Sequence, residues 1–118
     1  RWILDDATKF VNREIRRGNA YDAIILDPPR FGRGTKGEVW KLENDLSPLL
    51  TLCKQLLSPT PIFILLNAYT ADLSPIAIDN VMKDMMKSSN GNVETFELTI
   101  KDTTSQRLLP HGITSRWS

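Results

Sequence analysis

Residues 23–34 read Ala23-Ile24-Ile25-Leu26-Asp27-Pro28-Pro29-Arg30-Phe31-Gly32-Arg33-Gly34. An apolar run stops at a carboxylate. Two prolines follow, and a basic and an aromatic residue lead into glycines. The apolar run reads as a buried strand covered on both faces. Asp27 then falls at the strand's C-terminal end, where open α/β sheets bind their ligands. Pro28 and Pro29 fix φ and remove two backbone donors. The chain there becomes a stiff elbow whose outward carbonyls lack neighbouring N–H groups. Fixed acceptors of this kind suit a substrate amine. An ordinary strand-to-turn exit would account for Asp-Pro or Pro-Pro alone; the whole string, with Phe31 and the glycines, favours a site.

The elements around it must place that elbow. Trp2-Ile3-Leu4 reads as a short strand, and Asp5 or Asp6 as the cap of a helix. Ala7, Phe10, Val11 and Ile15 share one face of that helix, with Lys9, Arg13, Glu14, Arg16 and Arg17 facing water. Gly18-Asn19 supplies its stop. After the strand at 21–27, a polar, glycine-rich loop runs over 28–44. Leu46, Leu49, Leu50, Leu52, Cys53, Leu56 and Leu57 mark a second helix capped by Asn44 or Asp45, with Pro48 in its first turn. Ser58-Pro59-Thr60-Pro61 breaks the chain, and 62–67 is apolar enough to be a central strand. A loop from 68 to 73 leads to Ser74-Pro75, which opens a third helix burying Ile76, Ile78, Val81, Met82, Met85 and Met86. Val93, Phe96, Leu98 and Ile100 lie in a strand, and 113–117 returns beside it as a hairpin. This alternation predicts an α/β fold: a Rossmann-like, mostly parallel sheet with helices on both faces and a C-terminal antiparallel hairpin at its edge.

Composition narrows the chemistry. The chain has 118 residues, enough for one small domain, and a net charge of +1 gives no general pull toward nucleic acid or membrane. The single cysteine excludes an internal disulfide and any Cys-based zinc cluster, so no metal is expected. The single histidine, His111, follows Leu109-Pro110 and reads as a turn residue. No run is long enough to span a bilayer and no signal peptide is expected, so the expectation is a reducing cytoplasm. The chain opens at Arg1-Trp2-Ile3-Leu4-Asp5 without a methionine, inside what reads as a strand. We therefore expect the C-terminal part of a longer protein.

The strings Arg1-Trp2-Ile3-Leu4-Asp5-Asp6-Ala7, Tyr21-Asp22, 25–34 and Gly37-Glu38-Val39-Trp40-Lys41-Leu42 resemble class I S-adenosylmethionine (SAM)-dependent methyltransferases. Within them the resemblance is to the branch of bacterial 23S ribosomal-RNA large-subunit methyltransferases. It covers nearly the whole chain, from the third strand of that fold to its end. It implies that residues 1–118 are the C-terminal part of one catalytic domain, with strand order 3-2-1-4-5-7-6 and strands 1 and 2 missing. It also implies that Asp6 and Ala7 hold the adenine of SAM. Asp6 is equally suited to helix capping. Asp27 matches the acidic residue of the catalytic motif. With Pro28 and Pro29 it would orient the target nitrogen beside the donor methyl, so that catalysis is alignment and electrostatics. Phe31 either stacks on a flipped base or packs under the loop. In amino-methylating enzymes of the better-known pattern the aromatic directly follows the second proline, whereas Arg30 intervenes here.

Relatives that methylate carbon use a cysteine after the fifth strand; the matching stretch, Leu65-Leu66-Asn67-Ala68-Tyr69-Thr70, has none, and Cys53 sits on an apolar face. Transfer to nitrogen or oxygen is therefore expected. Asn67, Tyr69 and Thr70 either line the substrate side or form a turn. Arg30, Arg33 and Lys36 suit RNA phosphates or a solvated loop. The expectation is SAM-dependent methylation of RNA, ribosomal RNA first. The alternatives are a protein or small-molecule acceptor, or a non-catalytic Rossmann-like RNA-binding module. The 118 residues alone are expected to be inactive, to bind SAM weakly, and to self-associate, exchange strands or release the first strand.

Overall fold

The computed structural model describes residues 2–34, 37–69 and 73–118. Its elements follow in the order α1 (Ala7–Arg16), β1 (Ala23–Leu26), β2 (Phe31–Arg33), β3 (Val39–Lys41), α2 (Leu42–Gln55), β4 (Phe63–Ala68), α3 (Pro75–Met86), β5 (Val93–Lys101) and β6 (Leu108–Trp117). The main sheet has the order β1-β4-β6-β5, and β2 and β3 form a separate ribbon. β1 pairs parallel with β4, while β6 runs antiparallel to both β4 and β5. So β1, β4 and β5 point one way and β6 alone points the other.

The crossovers β1–α2–β4 and β4–α3–β5 advance in the same direction along the sheet. Right-handed crossovers that do so lay their helices on one face. Helices on both faces were expected, yet α1 packs on α2 and α2 on α3 in a single row. Burial along β4 shows the consequence: Ile64, Leu66 and Ala68 are buried, while Phe63, Leu65 and Asn67 alternate as partly exposed. The core forms between that face and the helices, around Leu42, Leu50, Cys53, Ile64, Leu66, Ile78 and Met82. Burial there pushes the Cys53 thiol up to about 11, so it is an inert core group. No described helix is long and apolar enough to cross a membrane.

The structure corrects several local expectations. Residues 2–4 are not a strand: no described strand pairs with them, and Trp2 and Leu4 are fully exposed. A three-residue run has no strand identity without a partner's ladder. Ile25 is 66% exposed, because β1 is the edge of the sheet and one of its faces is uncovered. Residues 28–44 hold the β2–β3 ribbon and the start of α2, which begins at Leu42 and places Pro48 inside the helix rather than in its first turn. The cap of α2 is Lys41 without a side-chain bond, while Asp45 accepts from the Lys41 N–H at 2.7 Å. Ile76 is exposed on the first turn of α3, whereas Ser74 caps that helix and Pro75 follows, as the sequence predicts.

Glu14, expected in water, is 5% exposed. It accepts from the Tyr21 hydroxyl at 2.7 Å, Asn19 Nδ2 at 2.6 Å and Arg17 Nη1 at 2.9 Å. These bonds, Tyr21's foremost, hold its carboxyl at about 2. Periodicity could not foresee this, because the partners arrive from the turn beyond the helix. A second polar link ties α3 to the sheet: Thr95 Oγ1 bonds Asp79 Oδ1 at 3.0 Å and Ser115 Oγ at 2.9 Å.

The returning strand of the closing hairpin begins at Leu108, earlier than the 113–117 expected, and it lies inside the sheet with β5 at the edge, in the 4-5-7-6 order that the resemblance implies. His111 therefore stands in a strand rather than a turn. β6 pairs with β4 only over 113–117. Beyond that, Leu108, Leu109 and Pro110 pair with Lys101, Ile100 and Thr99 as a ribbon that continues past the end of β4.

Candidate active site

The elbow leaves β1 at the carboxyl edge of the sheet. Asp27 and Pro29 are exposed and Pro28 is buried. The β2–β3 ribbon then folds back so that Gly32 lies opposite Trp40. Trp40 Nε1 donates to the Pro29 carbonyl at 2.7 Å. The expectation that both proline carbonyls go unpaired is corrected at Pro29, because a side chain supplies the donor that the neighbouring backbone lacks. Among the described residues, nothing donates to the Pro28 carbonyl. The Leu42 N–H bonds the Arg30 carbonyl at 2.9 Å and anchors the ribbon to the start of α2.

The facing wall is the start of α1. Asp6 is its cap, accepting from the Lys9 N–H at 2.8 Å through Oδ1. Asp5 is occupied differently, taking Arg13 Nη1 at 2.7 Å and the Asp6 N–H at 2.9 Å. The Arg13 guanidinium holds the Asp5 carboxyl below the usual carboxylate range. Asp6 Oδ2 accepts from no described residue, and the Ala7 N–H belongs to the first turn, where helix donors lack internal partners. Asp6, Ala7, Asp27, Pro28, Pro29 and Arg33 all line one cleft of about 670 Å³. Lys9 and Glu38, an ion pair at 2.7 Å, join α1 to the ribbon along the same cleft.

Tyr69 follows β4 and comes to Asp27 from the other side. Its hydroxyl donates to Asp27 Oδ2 at 3.2 Å. Burial and then the Asp27 charge push the Tyr69 phenol above its ordinary value. The His111 ring meets the Tyr69 ring edge-on, at 5.4 Å between centroids and 79° between planes. The Asn67 side chain bridges the ladder and the site: its carboxamide oxygen accepts from the Thr114 hydroxyl, and the same side chain hydrogen-bonds Tyr69. Phe31 stands half exposed on the ribbon, with the Arg33 guanidinium 5.9 Å from its ring centre, and is not part of the cleft wall. Arg30 is exposed and also lies off that wall. Lys36 and Thr70 lie outside the described residues. Sequence reasoning missed Trp40 and His111 as parts of the site. Both act through contacts made far along the chain, so no local signal marks them.

No family model and no curated protein matches the chain. Solved structures do. A SAM-dependent methyltransferase from Agrobacterium tumefaciens matches all of this chain at 41% identity with a TM-score of 0.92, over 39% of its own length. SMU.776 in complex with SAH matches 98% of the chain at 19% identity and a TM-score of 0.67, over 30% of its own length. The M1.HpyAVI–SAM complex matches 96% at 14% identity and a TM-score of 0.59, over 50% of its own length. The last two show the fold alone. The chain thus has the fold of a SAM-dependent methyltransferase, spanning 39% of the length of the Agrobacterium protein it matches.

Proposed function

We propose that the protein, as part of one methyltransferase catalytic domain, transfers a methyl group from SAM to a nitrogen or oxygen of RNA, ribosomal RNA first. One observation carries the reading: Asp6-Ala7 and Asp27-Pro28, on separate elements, line the same cleft. Its volume of about 670 Å³ is within the range of small-molecule sites, about 300–1,000 Å³. The residues also fit the group. Asp6 Oδ2 is an acceptor for the exocyclic amine of adenine, and the adjacent Ala7 N–H is a donor for a ring nitrogen. When bound, SAM supplies a methyl carbon made electrophilic by its sulfonium.

The chain's own residues align the acceptor. Asp27 Oδ1 and the Pro28 carbonyl accept from the target N–H, which aims the nitrogen lone pair along the line of displacement. Positive charge developing on a nitrogen acceptor would be stabilised by Asp27 until its proton leaves to water. Nitrogen or oxygen is favoured over carbon because the single thiol, Cys53, is sealed in the core and far from the thiolate range. Arg33 on the cleft wall, with Arg30 three residues before it in the same loop, favours a phosphate-bearing acceptor. A cytoplasmic site of action accords with such an acceptor.

The test follows tritium from labelled SAM into ribosomal RNA with the full-length protein. Asp27→Ala should abolish transfer while leaving the unfolding midpoint in place. Unchanged turnover refutes the reading, and label in protein but not RNA refutes the acceptor.

A further inference from the structure

We propose that Tyr69 is a positioning residue for Asp27: its hydroxyl pins one carboxylate oxygen and leaves the other free to accept from the methyl acceptor. The inference rests on the reading of Asp27 above and gives Tyr69 a role other than touching substrate. The hydrogen bond from Tyr69 to Asp27 Oδ2 spans two strand ends that are 42 residues apart in sequence. An exposed carboxylate otherwise turns freely about its terminal bond, and an in-line displacement tolerates little misalignment.

The Tyr69 ring is itself held in place. His111 packs edge-on against it. Gly112, at φ +103°, lets β6 approach so closely that a Cβ there would lie 2.8 Å from the Ala68 carbonyl oxygen and 3.1 Å from Tyr69 Cδ1. The ribbon that continues past β4 therefore sets where the hydroxyl stands. A phenol is protonated at neutral pH, and burial and the Asp27 charge push this one further that way, so it remains a donor.

Two measurements on the full-length protein test this. In the tritium-transfer assay with ribosomal RNA, Tyr69→Phe should lower kcat by about ten- to a hundredfold, the value of a hydrogen bond to a charged group. KM for RNA should stay within about twofold, because Tyr69 does not contact the acceptor. Separately, the difference between tyrosinate absorbance titrations of the parent and Tyr69→Phe isolates this phenol. Its midpoint should fall in Asp27→Asn, where the neighbouring charge is gone.

An unchanged kcat, a raised KM at constant kcat, or a midpoint indifferent to Asp27→Asn would each overturn the proposal. The titration needs no acceptor, so it judges the Tyr69–Asp27 pair even if RNA is not the substrate. Full transfer by Asp27→Ala would instead sink the proposed function.

Discussion

Replacing Gly112 by alanine measures how closely the closing ribbon is held against the end of β4. The φ of +103° at this position is one that L side chains rarely adopt, and left-handed backbone costs such a residue about 1–2 kcal/mol. The new Cβ would also stand 2.8 Å from the Ala68 carbonyl oxygen. That oxygen cannot swing away cheaply, because Ala68 is buried and paired with Ile113 in the ladder. Forcing atoms into a packed site costs about 1–3 kcal/mol more. We expect a loss of about 2–5 kcal/mol in all, from a total of about 5–15 kcal/mol for a domain of this kind. Gly18→Ala is the control: its φ of +71° carries a backbone cost, yet nothing lies within 4 Å of the added carbon. Urea unfolding followed by circular dichroism gives both values, and their difference isolates the clash. If Gly112→Ala is no less stable than Gly18→Ala, the close approach of β6 to Ala68 and Tyr69 is wrong.

Two further outcomes are expected. Glu14 has its carboxyl held at about 2, against an ordinary value of 4.5, by hydrogen bonds from Tyr21 and Asn19. A depressed folded value means that the unfolded chain takes up the proton first, so this stability is complete above 4.5 and disappears as the pH falls toward 2. The urea midpoint should decline through that window and decline less steeply in Tyr21→Phe; equal slopes would show that Tyr21 does not hold the carboxylate. Asp6 both caps α1 and faces the cleft. Asp6→Ser keeps a capping oxygen while withdrawing the carboxylate, so the full-length protein should keep its stability to within about 0.5 kcal/mol and lose SAM affinity by calorimetry. Affinity equal to the parent would leave Asp6 a cap alone.

Much of the fold was legible because its signals are local. The caps at Asp5 or Asp6 and at Ser74 follow from a short oxygen ahead of an apolar face, and Pro75 from its fixed φ; the structure chose Asp6 of the first pair. The run at 62–67 announced the strand that the sheet is built around, one residue out of register with the Phe63–Ala68 found. Asp27 was legible as the end of such a run. Residues 2–4 show where this reading stops, since an apolar triplet becomes a strand only when a ladder receives it. Glu14 fails for a related reason: its polarity says water, but three donors from the following turn make burial favourable.

By itself, then, the sequence determined the three helices and the strands at β1, β4 and β5, and that a carboxylate ends β1 before a proline elbow. Those outcomes depend on backbone preference and on the period of apolar side chains, which neighbouring residues carry between them. Only the tertiary structure decided that the helices share one face and that Trp40, Tyr69 and His111 gather around the elbow. Each of these is a contact between residues distant along the chain. A hydrogen bond from Tyr69 to Asp27 exists only once the crossover through α2 has set β1 beside β4 and brought their ends together.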